Sequence, residues 1–377
     1  MWRTLFFILI VNFIGLTSLT VERGAAQTPN CSDRPTYISQ PWIHQDLSCL
    51  EEVINDPVVG ELGFTALAVS PDETLYAARP YTGEVIALTD TDGDLLPDTP
   101  RVVASGLTLP NGLAYHDGSL YIVGGSRIDR LTGETLETLV DDLPSGGGFW
   151  TGGIAVRDRI YVSTGAPCDQ CVSDDPARGA ILSYALDGSD RQIVAAGLRF
   201  PADLAFFDDE LYVVDSAPDA LFDTPDLDEL NRVTEGANFG FPVCVLPDTP
   251  ECADYTPPIV TFPTASTPIG LAAYNSDSLP MLTNSLLVVL SGSYNDLQLR
   301  GYRLVAVRFD ENGAHYEPVM PVQSPSAPGS ERFTADEMSY RGSGFFPHRP
   351  LDVAVSSRGW VYISIGGGRI IALRPKG

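Results

Sequence analysis

The stretch 202–215, ADLAFFDDELYVVD, reads as a strand, a tight acidic turn at Asp208-Asp209 and a second strand. A short apolar segment, a polar turn and a second segment of the aromatic-rich LYV type read as a pair of strands. The same pattern returns as TALAVSPDETLYAA from Thr65, NGLAYHDGSLYIV from Asn111, GGIAVRDRIYVS from Gly152 and LDVAVSSRGWVYIS from Leu351, with a longer form, IGLAAYNSDSLPMLTNSLLVVLSG, from Ile269. The central alanines, Ala68, Ala114, Ala155, Ala205, Ala272 and Ala354, stand 41 to 50 residues apart over the first four copies and 67 and 82 apart over the last two. Several copies run on into a third strand, among them GEVIALTD, GAILSYALDG and GRIIALRP.

Strand-built repeats of about 40–50 residues are the mark of propeller blades. The expectation is an all-β chain, a six-bladed β-propeller of four-stranded antiparallel blades over 61–377, preceded by an N-terminal arm at 27–60. Blades five and six are lengthened by insertions such as the Pro/Ser segment 321–330. A β-sandwich or a pair of β-domains explains neither the sixfold recurrence nor the lack of a linker. Helical periodicity is scarce, and Leu50–Asn55 is its best candidate.

The first 26 residues read as a secretory signal peptide: one arginine, Arg3, then a largely apolar run, Leu5–Leu19, then Gly24-Ala25-Ala26 at the cleavage position. Asn12 interrupts the run, which is short for a membrane span. No stable span is expected after cleavage, and the location is secreted or periplasmic. A net charge of -26 disfavours nucleic acid as a partner. The six cysteines all follow the signal segment, and sequence proximity suggests the disulfides Cys31–Cys49, Cys168–Cys171 and Cys244–Cys252. Cys168-x-x-Cys171 also has the form of a redox pair or half a metal site, but no second pair follows at zinc spacing.

In a propeller the loop entering each inner strand points at the central axis. Those loops include LTLPNGLA, LRFPADLA, FPTASTPIGLA, HRPLDVA and, in blade three, SGGGFWTGG at 145–153. Arg199 and Arg349 lie in two of them, on blades four and six, each followed by an aspartate, Asp203 or Asp352. Two converging guanidinium forks would clamp a small anion. The competing reading is that each arginine pairs with its own aspartate.

The run GLRFPADLAF, then DELN at 228–231, then GANFGFP at 236–242, resembles the soluble glucose and sorbosone dehydrogenase-like family. GSYNDLQLRGYRLVAVRF and RPLDVAV near the C-terminus extend the resemblance, which runs from about residue 61 to the end. It implies an exported six-bladed propeller that oxidises a sugar with pyrroloquinoline quinone (PQQ) and calcium. It implies cofactor contacts at Arg199 and Arg349, with Asp203, Asp352 and Trp150 beside them, and weakly a calcium site at the backbone of Ala217 and Pro218. The family's catalytic histidine corresponds to Phe149 here, and a benzene ring accepts no proton. Phe200, Ala202 and Ser291 also replace polar residues of the family pattern. His348, beside Arg349, is the weak substitute base. His44, His116 and His315 fall in the arm or in turns.

DTDGDLLPD at 90–98 offers Asp90, Asp92, Asp94 and Asp98, hard oxygens at a spacing that suits calcium or simply an acidic turn. It is not an EF-hand, because glycine stands fourth and Arg101 stands where the bidentate glutamate belongs. PNGLA at 110–114 is similar to a motif of gluconolactonase-like propellers. Three functions are therefore open: quinone-dependent sugar oxidation lacking its usual base, non-catalytic binding of a carbohydrate or small anion by a wall of Phe149, Trp150 and Phe200, and calcium-dependent lactone hydrolysis.

Overall fold

The computed structural model describes residues 31–38, 43, 47–218, 227–244, 249–293, 300–322, 345 and 347–376. The stretch 1–26 read above as a signal peptide, His44 and nearly all of the insertion at 321–330 lie outside them. Six sheets surround a central axis, five of four strands and one of five. Their inner strands are Leu67–Val69, Pro110–His116, Ile154–Val156, Pro201–Phe207, Pro268–Tyr274 and Pro350–Val355. Within each blade, strands consecutive in the chain pair antiparallel from the axis outward, several through two-residue turns, while blades three and six each take one strand from elsewhere in the chain. The turn residues agree: Asp208 and Asp209 both adopt positive φ, of 46° and 66°, in the hairpin that follows Phe207.

Six apolar layers hold the blades together, one between each adjacent pair. The repeat supplies part of each layer in register. Tyr76 of blade one stacks on Tyr115 of blade two at 5.8 Å, and Tyr161 of blade three meets Phe206 of blade four edge-on at 5.6 Å. In both pairs the tyrosine of the second strand meets the aromatic residue just after the neighbour's marker alanine, which is why the motif carries both rings.

Leu50–Asn55 is not helical. It belongs to the strand Ser48–Asn55, which pairs antiparallel with Arg369–Pro375 as the outermost strand of blade six. A six-residue segment cannot repay helix nucleation, and the C-terminal strand offers it an open edge. The last blade is thus completed by the start of the described chain, and the circle closes. Glu51 is fully buried in this strand, hydrogen-bonded to both Arg34 and Arg374. The Cys31–Cys49 disulfide ties the segment before it to the same strand. Cys168–Cys171 and Cys244–Cys252 are also bonded, so the pairings suggested by proximity hold. The GANFGFP stretch returns from blade four to lay Ala237–Asn238 parallel to the outer strand of blade three, covering its edge. Among the described residues no helix is long and apolar enough to cross a membrane.

Candidate functional site

Four inner strands open on proline, Pro110, Pro201, Pro268 and Pro350, where a missing N–H costs the ladder nothing. In each of the four, the register shifts within two residues of the proline. Such a bulge leaves one residue out of the ladder and re-aims it. The residues after the prolines, Asn111, Ala202, Ile269 and Leu351, line a cavity of about 300 Å³, joined by Thr65 of blade one. The next residues in three of these strands, Gly112, Asp203 and Asp352, line a smaller chamber of about 60 Å³ that shares Thr65, Asn111, Ala202 and Ile269 with the first. The motif Pro-x-[Asp/Gly] therefore builds the axis in two levels.

Two loops bring the aromatic part of the larger cavity's wall. SGGGFWTGG brings Phe149 and Trp150, and GLRFP brings Arg199 and Phe200. Phe149 stacks on Phe200 with ring centroids 5.2 Å apart, and Trp150 meets Phe200 edge-on at the same distance. Phe149 reaches this place because Gly165 has no side chain: a Cβ there would lie 2.5 Å from that of Phe149. The glycine loop is pinned where Gly148 N donates to Pro167 O at 2.8 Å. Trp150 is 50% exposed, so the aromatic wall opens to solvent.

Arg199 is buried and fully engaged. Its Nε donates to Asp169 Oδ1 at 2.9 Å, Nη2 donates to the same oxygen, and Nη1 donates to Ser216 O at 3.1 Å. The guanidinium carbon lies 4.2 Å from the Phe149 ring centroid. Asp215 anchors the loop, accepting from Arg199 N at 3.0 Å and Phe200 N at 2.6 Å. Burial pushes the Asp215 carboxyl up to about 6 against the pull of these donors. Asp228 also lines the cavity, accepting from Ala217 N at 2.9 Å and Thr267 N at 2.7 Å, and burial raises it to about 6 as well. Ser216 Oγ is buried in the lining with no hydrogen-bond partner among the described residues.

The residues singled out in the sequence are only partly brought together. Phe149, Trp150, Arg199, Ala217 and Pro218 line the cavity. Arg349 is not among the described lining residues; it donates to the carbonyls of Gly292 at 2.7 Å and Ser293 at 2.8 Å and faces Tyr302. His348 is exposed, and among the described residues no histidine lines the cavity. Asp203 and Asp352 serve the backbone between blades. Asp203 accepts from Leu204 N and from Leu271 N of blade five, both at 2.8 Å. Asp352 accepts from Val353 N at 2.8 Å and from Leu67 N of blade one at 2.6 Å. Burial raises Asp203 to about 7, and burial with the charge of Asp203 raises Asp352 well above the usual carboxylate range.

Asp90, Asp92 and Asp94 gather within 4.8 Å in the hairpin between the two outer strands of blade one. Their oxygens accept from the loop amides of Gly93, Asp94, Leu95 and Leu96, and Arg34 pairs with Asp94 at 2.7 Å. Asp98 is outside that group and accepts from the hydroxyls of Thr91 and Thr99. Sequence reasoning missed Asp169, Ser216, Asp228, Ile269 and Leu351. Ile269 and Leu351 were detectable from their place after the aligned prolines; Asp169 and Ser216 meet the site through loops, and Asp228 opens the third strand of blade four.

PQQ carries three carboxylates and needs cationic partners. Among the described residues Arg199 is the only cation lining the cavity, Asp169 matches its charge, and Asp228 adds negative charge to the wall. The described lining residues do not fit that cofactor.

Residues 220–374 match the family model described as TrAA12-like. No curated protein matches the chain. Among solved structures, the chain is similar to the iodide structure of the Trichoderma reesei Carbohydrate-Active Enzymes Family AA12 protein, with TM-score 0.67 and 16% identity over 94% of this chain and 100% of that one. It is similar to the holo PQQ domain of pyranose dehydrogenase from Coprinopsis cinerea, with TM-score 0.65 and 15% identity over 86% of this chain and 95% of that one. The PQQ-bound aldose sugar dehydrogenase of Streptomyces coelicolor gives TM-score 0.57 and 19% identity over 89% of this chain and 100% of that one. At such identities the likeness is one of fold. The chain is a six-bladed propeller that resembles the soluble sugar dehydrogenases, and its residues 220–374 carry the TrAA12-like match.

Proposed function

We propose that this protein is an exported carbohydrate-binding propeller whose axial cavity takes a neutral sugar ring. The observation that carries this reading is the composition of the cavity wall. Three aromatic rings, one of them half-exposed at Trp150, stand over an apolar floor of Ala202, Ile269 and Leu351. Sugar C–H faces pack against aromatic rings, and a few polar groups fix their orientation. Asn111, Thr65 and the Ser216 hydroxyl, unpartnered among the described residues, supply those groups. The fold shared with sugar dehydrogenases and the TrAA12-like match favour the same ligand class. Export rests on the signal-like N-terminus and on three disulfides.

The test is a panel of neutral mono- and oligosaccharides titrated by calorimetry and by Trp150 fluorescence. Saturable binding lost in Trp150→Ala supports the reading; no saturable binding across the panel overturns it. Quinone-dependent oxidation is the second reading, favoured by Arg199 in the wall. Under it, PQQ with calcium should bind and acceptor dyes should be reduced with sugar. Phe149 offers no proton acceptor for that reaction, and no step through the cofactor follows from this wall.

A further inference from the structure

The guanidinium of Arg199 is engaged on one face and at Nε, Nη1 and Nη2 by groups of the chain itself. One face lies 4.2 Å from the Phe149 ring centroid, and Nη1 donates to Ser216 O. The remaining edge, Nε and Nη2, donates to a single oxygen of Asp169. Arg199 is 3% exposed in its side chain and Asp169 42%, so the carboxylate closes the arginine off from the solvent side. Asp169 itself sits inside the four-residue ring closed by Cys168–Cys171. That ring packs on the loop that carries the aromatic wall: Gly148 N donates to Pro167 O at 2.8 Å, and a Cβ on Gly148 would lie 3.2 Å from the Cys168 Cα.

We propose that Asp169, held in place by the Cys168–Cys171 ring, sets the charge selectivity of the axial cavity by neutralising Arg199, so that the cavity admits uncharged ligands and rejects carboxylates and sulfonates. This rests on the reading of the cavity as a ligand site, but not on the ligand being a carbohydrate. Without Asp169, the Nε and Nη2 edge of Arg199 loses that carboxylate while the contact to Ser216 O and the fields of Asp215 and Asp228 remain, and hydrogen bonds from a guanidinium edge to an anion are among the stronger ones in proteins. With Asp169 present, an anionic ligand must displace or approach a carboxylate that already occupies the fork. A ring of four residues leaves Asp169 little freedom to swing aside.

The test compares two dyes of one scaffold, anilinonaphthalene sulfonate and its uncharged parent phenylnaphthylamine, by fluorescence titration of the full folded chain. The readout is the ratio of the two affinities. The wild type should favour the uncharged dye. Asp169→Asn, or Asp169→Ser if the amide variant folds poorly, should shift the ratio toward the sulfonate by about tenfold or more, an effect that falls with added salt. Adding Arg199→Met to Asp169→Asn should abolish the shift, which locates it at the fork. Opening the ring with Cys168→Ser/Cys171→Ser should move the ratio in the same direction. An unchanged ratio in a folded Asp169 variant overturns the proposal, as does the absence of dye binding in every protein; an unchanged ratio in the ring variant overturns the part assigned to the disulfide. Failure of the sugar panel alone leaves the dye comparison intact, so the two readings fail separately.

Discussion

Asp203 on the inner strand of blade four accepts a hydrogen bond from the Leu271 amide of blade five at 2.8 Å, across the boundary between the two sheets. Asp352 makes the equivalent contact from blade six to Leu67 of blade one, where the last blade meets the first. Two carboxylates that join neighbouring blades therefore share one small axial chamber.

These carboxylates make stability depend on pH in a direction opposite to that of ordinary ion-paired acids. An unfolded aspartate loses its proton near 3.8, whereas folded Asp203 keeps it to about 7 because burial disfavours the charge. Between those values the folded state binds more protons than the unfolded one, so their contribution declines as pH rises through that window. The thermal midpoint should fall between about pH 4 and 7, and the slope should be shallower in Asp203→Asn than in wild type. Parallel curves for the two proteins would remove Asp203 from the account.

Closure of the ring should depend on Glu51. It is fully buried between Arg34 and Arg374, and Arg374 is fully buried too. Glu51→Ala leaves two cations without their shared partner, a loss that typically costs about 3–5 kcal/mol. Urea unfolding should show that drop, and a change below about 1 kcal/mol would place the closure elsewhere.

Glycine at the axis is required by space. A Cβ on Gly270 would lie 2.8 Å from the Cα of Asp352, and one on Gly153 would lie 2.7 Å from the Cα of Asp203. Backbone cannot yield as a flexible side chain does, so Gly270→Ala should cost about 1–3 kcal/mol in denaturant unfolding. An Ala variant as stable as wild type would show that the blades can move apart freely.

Phe149→His should not create a sugar dehydrogenase. A positioned general base contributes typically 10²–10⁴-fold, but here Asp169 occupies Arg199, the only cation among the described residues lining the cavity. With PQQ and calcium added, dye reduction by wild type and by Phe149→His should both stay at background. Turnover in the variant well above wild type would restore the quinone reading and refute the misfit of the wall.

Much of the cavity was visible in the repeat. The copies carry Pro-x-[Asp/Gly] ahead of the marker alanine in blades two, four, five and six, and that register alone aligns Asn111, Ala202, Ile269 and Leu351. The aromatic loop and Arg199 also stood out by their place before inner strands. The partner of Arg199 did not. Asp169 is 30 residues away in the chain and meets it only because the disulfide ring of blade three folds beside the entry loop of blade four. Likewise, Leu50–Asn55 has no strand partner nearby in sequence; its partner is the C-terminal strand.

The sequence by itself pointed to six blades and to the inner strand pairs of each, and suggested the cysteine pairs, because these rest on period, alternation and short spacing, all local properties. Only the tertiary structure decided which charges meet. Arg199 pairs with Asp169 and not with Asp203, while Asp203 and Asp352 turn to the amides of the following blades. Those contacts depend on the angles at which six sheets close around one axis, a property of the whole ring that no single repeat encodes.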